Sequence, residues 1–149
     1  MMTKDVLVTV RGRQISAGEE DEMEVIHSGL YYEKNNKIYI RYEEESENGQ
    51  GVISNMIKIG KEGLEITKKG MVGAQMIFRE NERINSCYDT PYGRLDMAIY
   101  TNEIRYKIEE DLIEINMSYV IEINGETLSE SDVFIKVESR GIADIKLTE

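Results

Sequence analysis

The chain has 149 residues, 29 of them acidic and 18 basic, for a formal net charge of −11. That length suits one domain with its own core, burying roughly 68 to 70% of the surface its unfolded chain exposes. The charge repels nucleic acid and anionic membrane surfaces, and no apolar run approaches the roughly 20 residues that cross a bilayer.

Met1 to Asp5 contains no apolar run of signal-peptide type, and the single cysteine, Cys87, forms no internal disulfide. Both observations lead to the expectation of a cytoplasmic protein. Val6, Val8 and Val10 alternate with Leu7, Thr9 and Arg11, the period of a strand with one buried face. Ser16 to Glu22 reads as the turn that follows. From Met23 to Glu33 the apolar phase changes, Met23 and Val25 on one parity and Ile26, Leu30 and Tyr32 on the other. That change predicts a bulge near His27 to Gly29. Glu19 to His27 is the only stretch whose pattern also suits a helix.

Asn35 and Asn36 tolerate positive φ and join this strand to Ile38, Ile40 and Tyr42 as a hairpin. Glu43 to Gly51 reads as a charged loop, and Val52 to Ile59 as the next strand. After the Gly60 to Gly63 turn, Leu64 with Ile66 and then Gln75 to Glu80 form two short strands around Lys69 and Gly70. The signal weakens from Asn81 to Pro91. Leu95, Met97 and Ile99 mark one strand, and Ile104, Tyr106 and Ile108 another. Leu112 to Ile123 alternates without a break over twelve residues, roughly 40 Å of strand, with Ile113, Ile115, Met117 and Tyr119 on the inner parity. Asn124 and Gly125 turn the chain into a last strand through Val133, Ile135 and Val137.

These elements predict an all-β, antiparallel, up-and-down meander of eight to ten strands. A meander this long protects its edges best by closing into a barrel, with a two-sheet sandwich as the alternative. The barrel domain is expected over residues 1–139, with 140–149 a tail or an extra strand through Ile142, Ile145 and Leu147.

A family resemblance rests on the run Gly29 to Tyr39, on Tyr42, Glu43, Met76 and Phe78, and on Thr90 to Met97 with Thr101. The chain, from about Asp5 to Val137, resembles the YwiB-like family of uncharacterised bacterial proteins. The resemblance implies a calycin-like, lipocalin-type β-barrel in a small cytoplasmic protein. Its motifs are turn and aromatic positions, so it carries no functional residues across. Gly29 and Gly93 read as positions for a bend or turn.

The chemistry expected of the residues is binding rather than catalysis. The only histidine, His27, reads as a surface residue, and nothing fixes it near Cys87 for a thiol–imidazole pair. The acidic run Glu43 to Glu47 lacks the register of a calcium loop, and one histidine with one cysteine does not make a usual zinc site. No catalytic residue, metal or cofactor is therefore expected. Parity turns Arg41, Arg79, Arg94 and Arg105 outward, so the interior is expected to hold no cation.

An eight-stranded barrel is just wide enough to be filled by side chains or to hold one small ligand. The expected ligand is small, mainly apolar and uncharged, seated among Tyr42, Met97, Met117 and Tyr119. The same four side chains also read as plain core. The alternative function is a filled barrel that meets a protein partner through an outer face carrying Tyr39, Arg41, Arg94 and Tyr100.

Overall fold

A computed structural model of the protein describes residues 2–45 and 51–141. Among these, ten strands run in chain order: β1 (Asp5–Ser16), β2 (Glu19–Lys34), β3 (Lys37–Glu45), β4 (Val52–Ile59) and β5 (Leu64–Gly70). They are followed by β6 (Gly73–Phe78), β7 (Arg83–Thr90), β8 (Gly93–Ile108), β9 (Leu112–Ile123) and β10 (Glu126–Ser139). Each strand pairs antiparallel with the next, and β10 returns to β1, which closes the barrel. No helix among the described residues is long and apolar enough to cross a membrane.

The tight turns follow from residues that accept positive φ. Ala17 and Gly18, Asn35 and Asn36, and Asn124 and Gly125 each supply two consecutive positive φ values. This is the two-residue geometry that matches the twist of a hairpin. The first turn is therefore Ala17 and Gly18 alone, and Glu19 to Glu22 belongs to β2. Glu19 to His27, the helix competitor, is also strand, because every residue from Glu19 to Leu30 pairs with β1.

That unbroken register also excludes the expected bulge at His27 to Gly29. Met23, Val25, His27 and Gly29 keep the inner parity, and Ile26, Leu30 and Tyr32 are exposed apolar residues on the outer face. The parity change marks two apolar faces rather than a slipped strand. Gly29 is instead a point of close approach. A Cβ there would lie 2.9 Å from the Arg41 carbonyl oxygen and 3.0 Å from Val8 Cγ2.

A bulge lies instead in β8. Its pairing with β9 shifts between Thr101 and Glu103, which moves the inner parity from Leu95, Met97 and Ile99 to Ile104 and Tyr106. The two strands expected there are one strand of 16 residues. Arg83 to Thr90, where the sequence signal weakens, forms β7. Of the acidic run, Glu43 to Glu45 ends β3, while residues 46–50 lie outside the described residues. The proposed tail strand through Ile142, Ile145 and Leu147 lies outside them as well.

The core is the barrel interior. Val6, Val8, Ile40, Ile57, Phe78, Ile115 and Val137 are fully enclosed within one continuous apolar cluster. Burying such side chains contributes about 1.5 to 3 kcal/mol each, and these contributions oppose the chain entropy of a long meander.

Candidate binding site in the upper barrel

The end of the barrel that carries the turns at Ala17, Asn124 and Tyr92 is here called the upper end. Along the inner wall, side-chain burial is uneven, with Tyr106 and Ile108 exposed at the lower end. In the lower and middle barrel, Val6, Val8, Ile57, Ile59, Ile113 and Ile115 are buried. Toward the upper end, Val10, Ile66, Met76, Tyr88, Ile121 and Ile123 are only half-buried, beside buried Met97 and Ala74. These inner-wall side chains retain solvent contact beside the packed core.

One wall of the upper interior is polar. Glu44 lies two residues after Tyr42 on β3, Asn55 two before Ile57 on β4, and Lys68 two after Ile66 on β5, so all three inherit the inner parity. Pairing of Tyr42 with Asn55 and of Asn55 with Lys68 places them side by side. Asn55 Nδ2 donates to Glu44 Oε1 at 2.7 Å, and Lys68 Nζ donates to the same oxygen at 3.1 Å and to Asn55 Oδ1 at 2.7 Å. Asn55 is fully buried. Burial works to raise the Glu44 carboxyl, but the charge and hydrogen bond of Lys68, with Asn55 and nearby His27, outweigh it. The carboxyl is held below its ordinary range. The expectation that the interior holds no cation is thus wrong: Lys68 is inside, neutralised by Glu44.

His27 is not a surface side chain either. Its ring stacks on Tyr42 at 4.9 Å between centroids. Burial, followed by the nearby Glu44 charge, drives the Tyr42 phenol well above its usual range, so it remains a neutral hydroxyl. Cys87 is exposed on β7, on the outer parity and across the barrel from β2, so no thiol–imidazole pair exists.

The other wall, from β8 to β10, carries hydroxyls. Thr101 pairs with Tyr119, and Tyr119 with Ser131. Tyr119 meets Phe78 edge to face at 4.8 Å, pairs with Ser131 across the β9–β10 ladder, and has its ionisation raised by burial.

The four residues expected to hold a ligand all face inward. Tyr42, Met97 and Met117 are buried in the core cluster, and Tyr119 packs against it. Tyr42 stands on one wall, and the other three on the facing wall formed by β8 and β9. Glu44, Asn55, Lys68 and His27 are the inner-wall residues missed by the sequence reading.

The outer residues Tyr39, Arg41, Arg94 and Tyr100 do not form one face. Tyr39 and Arg41 lie on β3, Arg94 and Tyr100 on β8, which are five places apart in the ring of ten. Tyr39 stacks on Tyr32, and Arg94 is tied to Asp89 at 2.7 Å. A groove of about 620 Å³ crosses the outside of β8, β9, β10, β1 and β2 instead. In it Arg11 stands over Phe134 and pairs with Glu24, and Arg13 pairs with Glu20 and Asp132. Among the described residues no group of three or more His, Cys, Asp or Glu is placed to hold a metal ion.

Comparison with known proteins agrees with this architecture. The uncharacterized β-barrel protein YwiB of Bacillus subtilis is 24% identical over 109 residues, covering 73% of this chain and 75% of its own. The crystal structure of the ywiB protein superposes with a TM-score of 0.82 at 20% identity, over 91% of this chain and 92% of the other, a likeness of fold alone. The model of a domain of unknown function, DUF1934, matches residues 8–135, and the chain belongs to that family.

Proposed function

We propose that this protein binds a small, mainly apolar and uncharged molecule in the upper barrel, and that it is a cytoplasmic binding protein rather than an enzyme. The observation that carries this reading is the upper inner wall, where half-buried apolar side chains stand beside a few fixed polar groups. Ligand sites have that composition, mostly apolar with a small number of orienting hydrogen-bonding groups. Ten strands also enclose a wider cross-section than the eight that side chains can just fill.

Ligand charge follows from the polar wall. Lys68 and Glu44 neutralise each other, so a charged ligand would have to displace one of them from its partner. Tyr42 and Tyr119 stay protonated and present neutral hydroxyls, while Met97 and Met117 offer flexible side chains on the β8 and β9 wall.

The test uses N-phenyl-1-naphthylamine, an uncharged dye that brightens in apolar surroundings. Saturable binding to the wild type is expected, weakened at least about tenfold by Ile66→Trp, which fills the upper barrel with a larger ring. Dye binding that Ile66→Trp leaves unchanged, or no saturable binding, would overturn the proposal.

The outer groove favours a second reading, a protein partner, because arginine and aromatic side chains together suit an interface. Its test is gel filtration with pull-down in the wild type and in Phe134→Ala. A partner or dimer lost in that variant supports it, and a bare monomer in both counts against it.

A further inference from the structure

Two hydroxyls on the β8 to β10 wall carry an inference about the ligand that rests on the proposed upper-barrel site. Thr101 is 0% and Ser129 2% exposed, and among the described residues neither Thr101 Oγ1 nor Ser129 Oγ has a hydrogen-bond partner. Both point inward. Thr101 shares the parity of Met97 and Ile99 and pairs with Tyr119, whose ring is in the core, and Ser129 pairs with inward-facing Ile121. An interior hydroxyl left unpaired has lost its water without replacement, which disfavours the protein unless something else completes the bond. Valine at 101 and alanine at 129 would suit an apolar core better.

The two orphans flank the paired Tyr119 and Ser131, one on each side of β9. Strand spacing puts β8 and β10 roughly 10 Å apart, the length of a small molecule. We infer that Thr101 and Ser129 form a polar subsite for neutral oxygen groups, alcohol or carbonyl, on an otherwise apolar ligand. Hydroxyls both donate and accept, so they suit an alcohol or a carbonyl. A carboxylate does not fit this wall, which offers no cation to balance it.

The experiment compares 1,8-octanediol, whose hydroxyls are far enough apart to reach both strands, with 1,8-dichlorooctane, of similar length, as displacers of N-phenyl-1-naphthylamine. They are tested on the wild type, Thr101→Val and Ser129→Ala, with thermal melting of each protein alone. In the wild type the diol is expected to displace the dye at least about tenfold more effectively, and each variant to cut that preference to about threefold or less. Each variant alone is expected to melt at or above the wild-type temperature, since it loses an unpaired hydroxyl rather than a bond. A diol preference that survives in both variants would overturn the subsite while leaving the upper-barrel site standing. Lower melting of both variants would show that the hydroxyls are already bonded and would also overturn it. Displacement by neither compound, from a dye that Ile66→Trp does not affect, would remove the upper-barrel site and the subsite together.

Discussion

Replacing Lys68 by methionine keeps the length of an unbranched side chain and removes only the ammonium. Among the described residues Glu44 then retains a single neutral donor, Asn55 Nδ2 at 2.7 Å, and buried Asn55 Oδ1 loses the Lys68 donor at 2.7 Å. An exposed ion pair contributes about 0 to 1 kcal/mol, and breaking a buried one costs about 3 to 5. The Lys68 and Glu44 side chains are 25% and 35% exposed, so solvent screening places this pair near the lower end. With the stranded amide oxygen included, the cost is about 2 kcal/mol at pH 7. In a chain of this size that lowers the melting temperature by roughly 4 to 8 °C. The pH dependence has a definite sign. The Glu44 carboxyl is depressed in the folded state, so the stability it contributes is present above the ordinary carboxylate range and lost as pH falls through the folded value. The gap between wild type and Lys68→Met is therefore expected to narrow between pH 7 and pH 3, leaving only the amide contribution. Thermal melting followed by circular dichroism at the two pH values measures both. Equal melting at pH 7, or a gap that widens on acidification, would refute the reasoning.

Two further predictions concern β2. Gly29→Ala introduces a Cβ 2.9 Å from the Arg41 carbonyl oxygen, so overpacking should cost about 1 to 3 kcal/mol, read as a melting temperature lowered by roughly 2 to 12 °C. Unchanged melting would show that β2 and β3 separate easily. From Glu19 to Ser28, β2 pairs only with β1 among the described residues, and Asp21 and Glu22 stand on that open edge. Charge there discourages strands of other molecules from adding. The double variant Asp21→Thr with Glu22→Thr should scatter light sooner on incubation at high concentration, with melting changed by less than about 0.5 kcal/mol equivalent. Identical scattering would show that the acids do not guard the edge.

Strands were legible in the sequence wherever one face is apolar and the other polar. Leu112 to Ile123 is such a case, and its inner residues occupy the expected side. Elsewhere the period misled for physical reasons. The inner face of β7 carries Ile84, Ser86, Tyr88 and Thr90, too polar to stand out against its outer face. β2 has apolar residues on both faces, which imitates a phase slip, whereas β8 contains a real slip that imitates two strands. The site was half legible. Tyr42, Met97, Met117 and Tyr119 followed from parity. Glu44, Asn55 and Lys68 obey the same parity but were lost to the assumption that charge points outward. Their mutual hydrogen bonds, which let them lie inside, appear only when β3, β4 and β5 are brought together.

Native mass spectrometry of the protein as purified tests the central claim most directly, because it weighs chain and bound molecule together. The account predicts a population heavier than the chain by one small molecule, released on mild activation and absent in Ile66→Trp. A bare chain mass, or an adduct retained equally by Ile66→Trp, would contradict it.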